Sequence, residues 1–433
     1  MSEDRPAETC DVFVLGGGPG GSAVATLLAE AGLRVVIAEK ERHPRFHVGE
    51  SLLPHSMPIL KRLGVLDQVG GIGVEKPGAE FISEDGSVNT VFAFTRALTP
   101  GPATAFQVRR QDFDALLFRR AADAGAETLE ETTARVISCN DGGAVIETNS
   151  ESTGSDGAVS GDVRLFQAGL LIDASGRSTL MAKARREKTP DPRNTSAAIF
   201  GHFRNVPRRE GARGGNIRIH LTDPGWMWQI PLQEGITSIG LVAPGAHMAG
   251  RKTGIEAFFR AHAARHPDIA GLLAQSEPVG QMHATGNFSY RAASAHGPGH
   301  LKVGDAYGFI DPVFSTGVHL ALNSACEAAD AVLATRGDPV LRARRFAAYD
   351  RHIRRRIDYV SWFIYRIHDP AFREMMLHPR DILGIERAVI SLLAGDFRRD
   401  LRIQSRIWLF KALRHLVEFR QSRGITASEA VHA

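Results

Sequence analysis

The residues with the clearest chemical use are the run Gly16-Gly17-Gly18-Pro19-Gly20-Gly21. Gly16, Gly18 and Gly21 fit G-x-G-x-x-G, and Ser22 follows as the helical pattern opens. Glycine lets the chain turn tightly, approach a pyrophosphate and pack helix closely on strand. A helix starting here offers free N–H groups and a positive dipole end to phosphate. Glu39 falls about 20 residues on, where an acid bonds a ribose hydroxyl. The alternative is a glycine-rich tight turn without a ligand. Two other stretches could carry chemistry. Thr316 and Gly317 open a second helix, whose unpaired N–H groups suit an anion or a water. Trp226 and Trp228 sit two apart, so a strand puts both on one face. Read alone, that pair is an aromatic sheet wall, and Lys76 is a surface lysine.

The elements that must position these residues follow from the flanking pattern. Val12 to Leu15 reads as a buried strand, Ser22 to Ala31 as a helix broken by Gly32, and Leu33 to Ala38 as a second strand. Ala105 to Val108 and Leu170 to Asp173 add strands, and a helix starts near Arg110. Asn149 to Gly161 is Ser/Gly-rich and reads as a loop. Alternating runs at Ile199–Phe203, Ile217–Leu221 and Ile236–Val242 predict a second, antiparallel sheet. Thr253 to Gln275 has helical periodicity, and Asn287–Tyr290 and His300–Val303 read as strands. Beyond Asp338 the chain is mostly helical and arginine-rich. The expected fold is α/β: a Rossmann-like dinucleotide domain from 1–80, 100–195 and 285–335, a β-sheet substrate domain from 81–99 and 196–284, and a helical region at 336–433.

The totals suit such an architecture. At 433 residues there is room for two or three domains. A net charge of +4 gives no reason to expect nucleic acid. The three cysteines are scattered, without metal spacing, which suits a reducing cytosol. No apolar run is long enough to span a membrane. Residues 1–10 are polar and expected to fray, and no signal peptide is seen.

Longer strings make the reading specific. Phe46 to Pro54 (FHVGESLLP), Lys76 in K-P-G-A-E-F, Trp226 to Pro231 (WMWQIP) and Gly304 to Val318 (GDAYGFIDPVFSTGV) together resemble the FAD-dependent halogenases. The likeness runs over about residues 10–335 and is nearest to the phenol and pyrrole kind. It implies FAD held by Gly16, Gly18, Pro19, Gly20, Gly21, Ser22 and Glu39. Lys40, Glu41, Arg42 and Arg45 would lie towards the adenosine, and Asp173 at the adenine end. Glu50 and Ser51 would lie in a loop over the flavin, with Ser51 early in a helix running through Val65. Arg110, Gly304, Asp305, Pro312, Gly317 and Val318 would complete the cofactor site. Chloride or bromide would sit at Thr316 and Gly317. Trp226, Trp228, Ile230 and Pro231 would wall a passage that keeps the substrate off the flavin. Lys76 would be the catalytic residue, as a hydrogen-bond donor to hypohalous acid or as a haloamine. The second route needs a neutral amine, hence a burial-depressed pKa.

One departure bears on substrate. Tryptophan halogenases carry D-P-x-E-S-T-G, and Phe314 stands here in place of that glutamate. The change favours a phenol or pyrrole, whose own heteroatom activates the ring. The resemblance further implies reduced FAD from a separate reductase and a substrate that is free or borne by an acyl carrier protein. The basic stretches Arg354–Arg356 and Arg402–Arg420 read as solvated helix faces or as a docking face for such a carrier. An aromatic hydroxylase, a geranylgeranyl-reductase-like enzyme and a flavin-binding assembly partner are the rival readings.

Overall fold

The computed structural model describes residues 7–153, 159–286 and 289–423. Strand β1 (Glu8–Leu15), helix α1 (Pro19–Glu30) and strand β2 (Val35–Ala38) form the opening unit. Helix α1 starts with Gly18 as its cap and Pro19 in its first turn. Proline is pre-set for that position and lacks an N–H that would go unpaired there anyway. β1 runs parallel to β2 on one side, and on the other to the later strand Val159–Asp173. Glu127–Leu129 and His300–Lys302 extend the sheet, both parallel. α1 packs on Arg110–Asp123 and Thr316–Leu333. This is the Rossmann-like layer, with the starts of α1 and of Thr316–Leu333 beside one sheet.

Strand β3 (Gly73–Lys76) pairs with β4 (Ala105–Val108), which leads into α2 (Arg110–Asp123); β5 (Val159–Asp173) is the strand beside β1. Gly78–Ile82 then joins the second sheet, running parallel to Ile217–Thr222. That sheet has seven strands, among them Gly78–Ile82 and Asn89–Ala93. Its centre is β6 (Ser196–Arg204), β7 (Ile217–Thr222), β8 (Gly225–Pro231) and β9 (Thr237–Pro244). In β8, Trp226, Trp228 and Ile230 join the main apolar core, whereas Met227 joins a separate cluster under the helix Ile255–Ala263. The two-residue period of the strand separates these faces. The chain closes with α3 (Thr316–Leu333), α4 (Pro339–Ile364), α5 (Ile385–Leu393) and α6 (Leu401–Ser422).

Three local expectations change. The stretch expected as a loop at Asn149–Gly161 contains Gly143–Thr153 paired with Val159–Asp173 in register, Val159 opposite Thr153. Residues 154–158 lie outside the described residues. Serine and threonine side chains do not prevent a ladder whose backbone groups pair throughout. Glu8 to Cys10 are held in β1 opposite Phe166 to Ala168, and residues 1–6 are not described. The strand expected at Asn287–Tyr290 is observed as Tyr290–Ala292, with residues 287 and 288 outside the described residues.

The outer face of the second sheet buries histidines. His220 on β7 and His262 are both 3% exposed, and the His262 and His266 rings lie 5.1 Å apart. Burial lowers His220 to about 3 and His262 to about 4. Below pH 6.5 the unfolded chain binds protons that these rings refuse, so each costs stability as pH falls, until its folded pKa is reached. Replacing His220 by Asn should therefore flatten the acid limb of the stability curve by about 1.4 kcal/mol per pH unit between pH 6 and 4. Urea midpoints of native and variant chains across that range test this; equal slopes would refute it.

Candidate active site

At the glycine turn, space separates two kinds of glycine. A Cβ on Gly16 (φ +99°) would stand 2.5 Å from the Ala174 carbonyl oxygen, and one on Gly21 1.9 Å from that of Gly16. One on Gly18 would meet only Arg45, at 3.9 Å. The first two are required by packing. Gly18 faces open space on the side where a pyrophosphate would approach. Gly20 packs against Val303, and Ser22 Oγ donates to the Gly17 carbonyl at 3.1 Å.

Glu39 is buried, accepting from the Gly17 N–H at 2.8 Å and from Arg45 at 3.3 Å. Arg45 also reaches Asp114 at 3.3 Å. Arg110 holds Asp114 through two bonds of 2.8 and 2.9 Å and donates to the Val48 carbonyl at 2.7 Å. Glu39, Arg45, Asp114 and Arg110 thus form one network running from the glycine turn to the 46–51 loop. Asp114 is a site residue that sequence reasoning missed, although its spacing four after Arg110 on a helix was a usable signal. Lys40 pairs with exposed Glu41 at 3.3 Å on the surface. Asp173 spends its carboxylate on its own turn, accepting from Ser175 N at 3.0 Å, Ser175 Oγ at 2.5 Å and Met181 N at 2.8 Å. Its side chain is therefore used to shape the turn against Gly16, not left open to a ligand.

The 46–51 loop differs from expectation. Ser51 is bridged to Gln107 of β4, and helical structure starts later, with a 3-10 turn at Pro54–Ser56 followed by an α-helix from Met57. Pairing with β4 turns the chain inward at this point. Phe46 stacks on His283 at 4.2 Å, and the Glu50 carboxylate meets His202 Nε2 at 2.6 Å. The loop is thereby tied to the second sheet. Gln107, fully buried, donates to the Gly215 carbonyl while its Oε1 has no partner among the described residues. His202 and Gln107 are contacts that spacing could not suggest.

Lys76 ends β3 and is 1% exposed. Its Nζ donates to Ser51 Oγ at 2.8 Å and to the Leu52 carbonyl at 2.9 Å, and lies 5.4 Å from the Phe94 ring centre. Burial with no acid partner among the described residues lowers its pKa to about 7. It can therefore exchange between ammonium and amine near neutral pH.

Trp226 and Trp228 are 1% and 4% exposed, with ring centres 5.9 Å apart. Trp228 donates to Ser238 Oγ at 3.1 Å and lies flat over Gly240, where a Cβ would come within 2.3 Å of the ring. Trp226 Nε1 has no partner among the described residues. Ile230 is buried on the same face, and Pro231 ends the strand. Phe314, Val318 and Phe94 belong to the same core. Phe314 packs on Phe81 at 6.3 Å, filling the place of the missing carboxylate.

Gly304 takes φ +59°, and its N–H donates to Ser324 Oγ at 3.0 Å. Burial pushes Asp305 up to about 6. Asp311 accepts from Val313 N at 3.1 Å and Asn194 at 3.1 Å, fixing the turn at Pro312. Ser315 is left-handed at φ +56°, and no side chain caps α3, whose first residues are Thr316, Gly317 and Val318. Among the described residues no cluster of three His, Cys, Asp or Glu is placed to hold a metal ion, and no helix is long and apolar enough to cross a membrane.

These residues fit FAD: an open glycine at a helix start, a buried acid beside it, and orphaned polar atoms at Gln107 and Trp226. The family model described as tryptophan halogenase matches residues 11–71 and 83–374. The flavin-dependent halogenase armH5 of Armillaria mellea is 32% identical, over 82% of this chain and 70% of that one. The 1H-pyrrole-2-carbonyl-[peptidyl-carrier protein] chlorinase of Pseudomonas fluorescens is 30% identical over 91% of each. Among solved structures, the myxobacterial chondrochloren halogenase CndH, a variant of FAD-dependent halogenases, is 29% identical with a TM-score of 0.77, covering 95% of this chain and 97% of that one.

Proposed function

The chain belongs to the tryptophan-halogenase family of FAD-dependent halogenating enzymes, and from that premise we propose that it halogenates an electron-rich phenol or pyrrole through Lys76. The observation that carries this reading is a lysine sealed from water, held by Ser51 and Leu52, with its pKa near neutrality. Phe314 supports the choice of ring: no carboxylate stands there to assist a poor nucleophile such as indole carbon.

FAD, when bound and reduced, supplies with dioxygen the two-electron oxidation of halide to hypohalous acid. The uncapped start of α3 offers the Thr316 and Gly317 N–H groups to the halide. The tryptophan wall keeps the ring to be halogenated on the Lys76 side. There Lys76 orients the hypohalous acid, or binds its halogen as a haloamine with loss of water. The ring carbon then forms its bond to halogen as the O–X or N–X bond breaks. In the first case the oxygen leaves as water, and in both the ring proton returns through the Lys76 nitrogen. A separate reductase supplies the reduced cofactor.

Carrier-borne delivery is supported by one relative: the match to the carrier-protein chlorinase runs through 91% of both chains. The deciding experiment supplies reductase, chloride or bromide, and a panel of phenols and pyrroles, free and carrier-loaded. A halogen isotope pair in the product mass is expected; gain of one oxygen instead would mark a hydroxylase. Trp228→Leu should lower the ratio of halogenated to oxygenated or unreacted product several-fold. An unchanged ratio would remove the tryptophans from the barrier role.

A further inference from the structure

The two basic stretches differ in the apolar surface they carry rather than in their ion pairs. In α4, Arg354 pairs with Asp350, and Arg356 with Glu327. These charges are spent within the fold. Helix α6 buries Ile403, Ile407, Phe410 and Arg414 on one side. On the opposite side it exposes Leu401 (80%), Trp408 (76%), Leu416 (64%) and Phe419 (55%). At 3.6 residues per turn these four fall on one stripe along the whole helix. Single exposed apolar residues need no explanation; a continuous stripe with a bare tryptophan marks an interaction surface. Of the eight arginines and lysines in the segment 398–423, Arg398, Arg402, Arg414 and Arg420 are paired with Asp396, Asp400, Asp369 and Glu374. Exposed Arg399 precedes the stripe, and Arg423 lies 4.2 Å from the Phe419 ring. Among the described residues, Arg406 donates to neutral oxygens, one of them the carbonyl of exposed Leu383.

This surface connects with the reaction site. Gly384, next to Leu383, packs against Leu98. Leu98 N–H is bonded to Arg387 and Ser391 of α5. The same segment begins at Phe94, beneath Lys76. A line of packed contacts through α5 and residues 94–99 therefore joins Leu383, beside Arg406, to Phe94 under Lys76.

We infer that the outward stripe of α6, with exposed Arg399 and Arg423 at its ends, is the docking face for an acidic carrier protein that bears the ring. The inference rests on the carrier-borne reading above. Positive charge around an apolar centre complements a partner with acidic residues flanking an apolar helix, and tryptophan and arginine are the residues that anchor such contacts.

The test uses the full chain with pyrrole-2-carbonyl-loaded peptidyl carrier protein, and in parallel the same acyl group on a small thioester. Trp408→Glu/Leu416→Glu and Arg399→Glu/Arg423→Glu, all on exposed positions, should raise the apparent KM for the loaded carrier at least about tenfold. Turnover of the small thioester and FAD affinity should stay unchanged. If the native chain uses the small thioester but never the loaded carrier, the carrier-borne reading fails and the docking face with it. If it uses the carrier and the variants keep the native KM, the docking face alone is wrong. Equal losses on both substrates would make the stripe structural and overturn the inference. So would a native dimer that Trp408→Glu dissociates at unchanged KM, or stripe-dependent binding to phosphatidylglycerol vesicles at unchanged KM.

Discussion

Lys76→Met is expected to bind FAD normally and to lose halogenation by about 10²–10⁴-fold, the usual weight of a positioned proton-transfer group. Methionine keeps the packing volume, so lost activity would not reflect a cavity. Lys76→Arg should not rescue, because guanidinium stays charged at every working pH and has a different shape. The pH profile carries the sharper information. Burial favours the neutral amine, since only its charged form pays for desolvation. Two N–H bonds, to Ser51 and Leu52, are what a neutral amine can donate, leaving its lone pair free. Turnover of carrier-free substrate should therefore rise through a pKa of about 7 and fall away on the acid side. A fall on the alkaline side would assign the ammonium as the working form. Normal halogenation by Lys76→Met would end the assignment altogether.

The fate of Lys76 shows which parts of the site can be read from sequence. Its identity came from a local string, as did the glycine turn and the tryptophan strand, because each is built within one short segment. Its environment did not. Ser51 and Leu52 lie about 25 residues earlier, and reach Lys76 only because Ser51 bridges to Gln107 on the partner strand of β3. The expectation of a helix at Ser51 failed for the same reason: pairing with β4 overrode the local pattern. Glu50 meets His202 across 152 residues, and Arg45 meets Asp114 across 69. The first is set by how the 46–51 loop meets the second sheet and the second by how α2 packs beside the glycine turn, and no periodicity encodes either. The resemblance placed Asp173 at the adenine end; its string did not reveal that the carboxylate also takes the Ser175 N–H and O–H and the Met181 N–H.

The glycine turn allows a second large effect to be separated into fold and binding. Gly21→Ala should fail in folding: its methyl would enter the Gly16 carbonyl at 1.9 Å, backbone against backbone, where no rotamer change gives relief. The helix would have to lift from the turn, and with it the N–H groups aimed at phosphate. An apoprotein with a clearly lowered melting temperature and no measurable flavin uptake is expected. Gly18→Ala should behave differently. Its φ of −74° and ψ of −177° suit any residue, so conformation does not require glycine there. Nothing but Arg45, at 3.9 Å, lies near the added carbon. The apoprotein should melt as the native chain does, while the methyl stands where the pyrophosphate approaches and weakens FAD binding by roughly 10–100-fold, or about 1.4–2.8 kcal/mol. Quenching of FAD fluorescence on titration, beside calorimetry of the apo forms, measures both quantities. Native affinity in Gly18→Ala would mean that the open side of the turn is not where phosphate lies, and that the helix start serves packing alone.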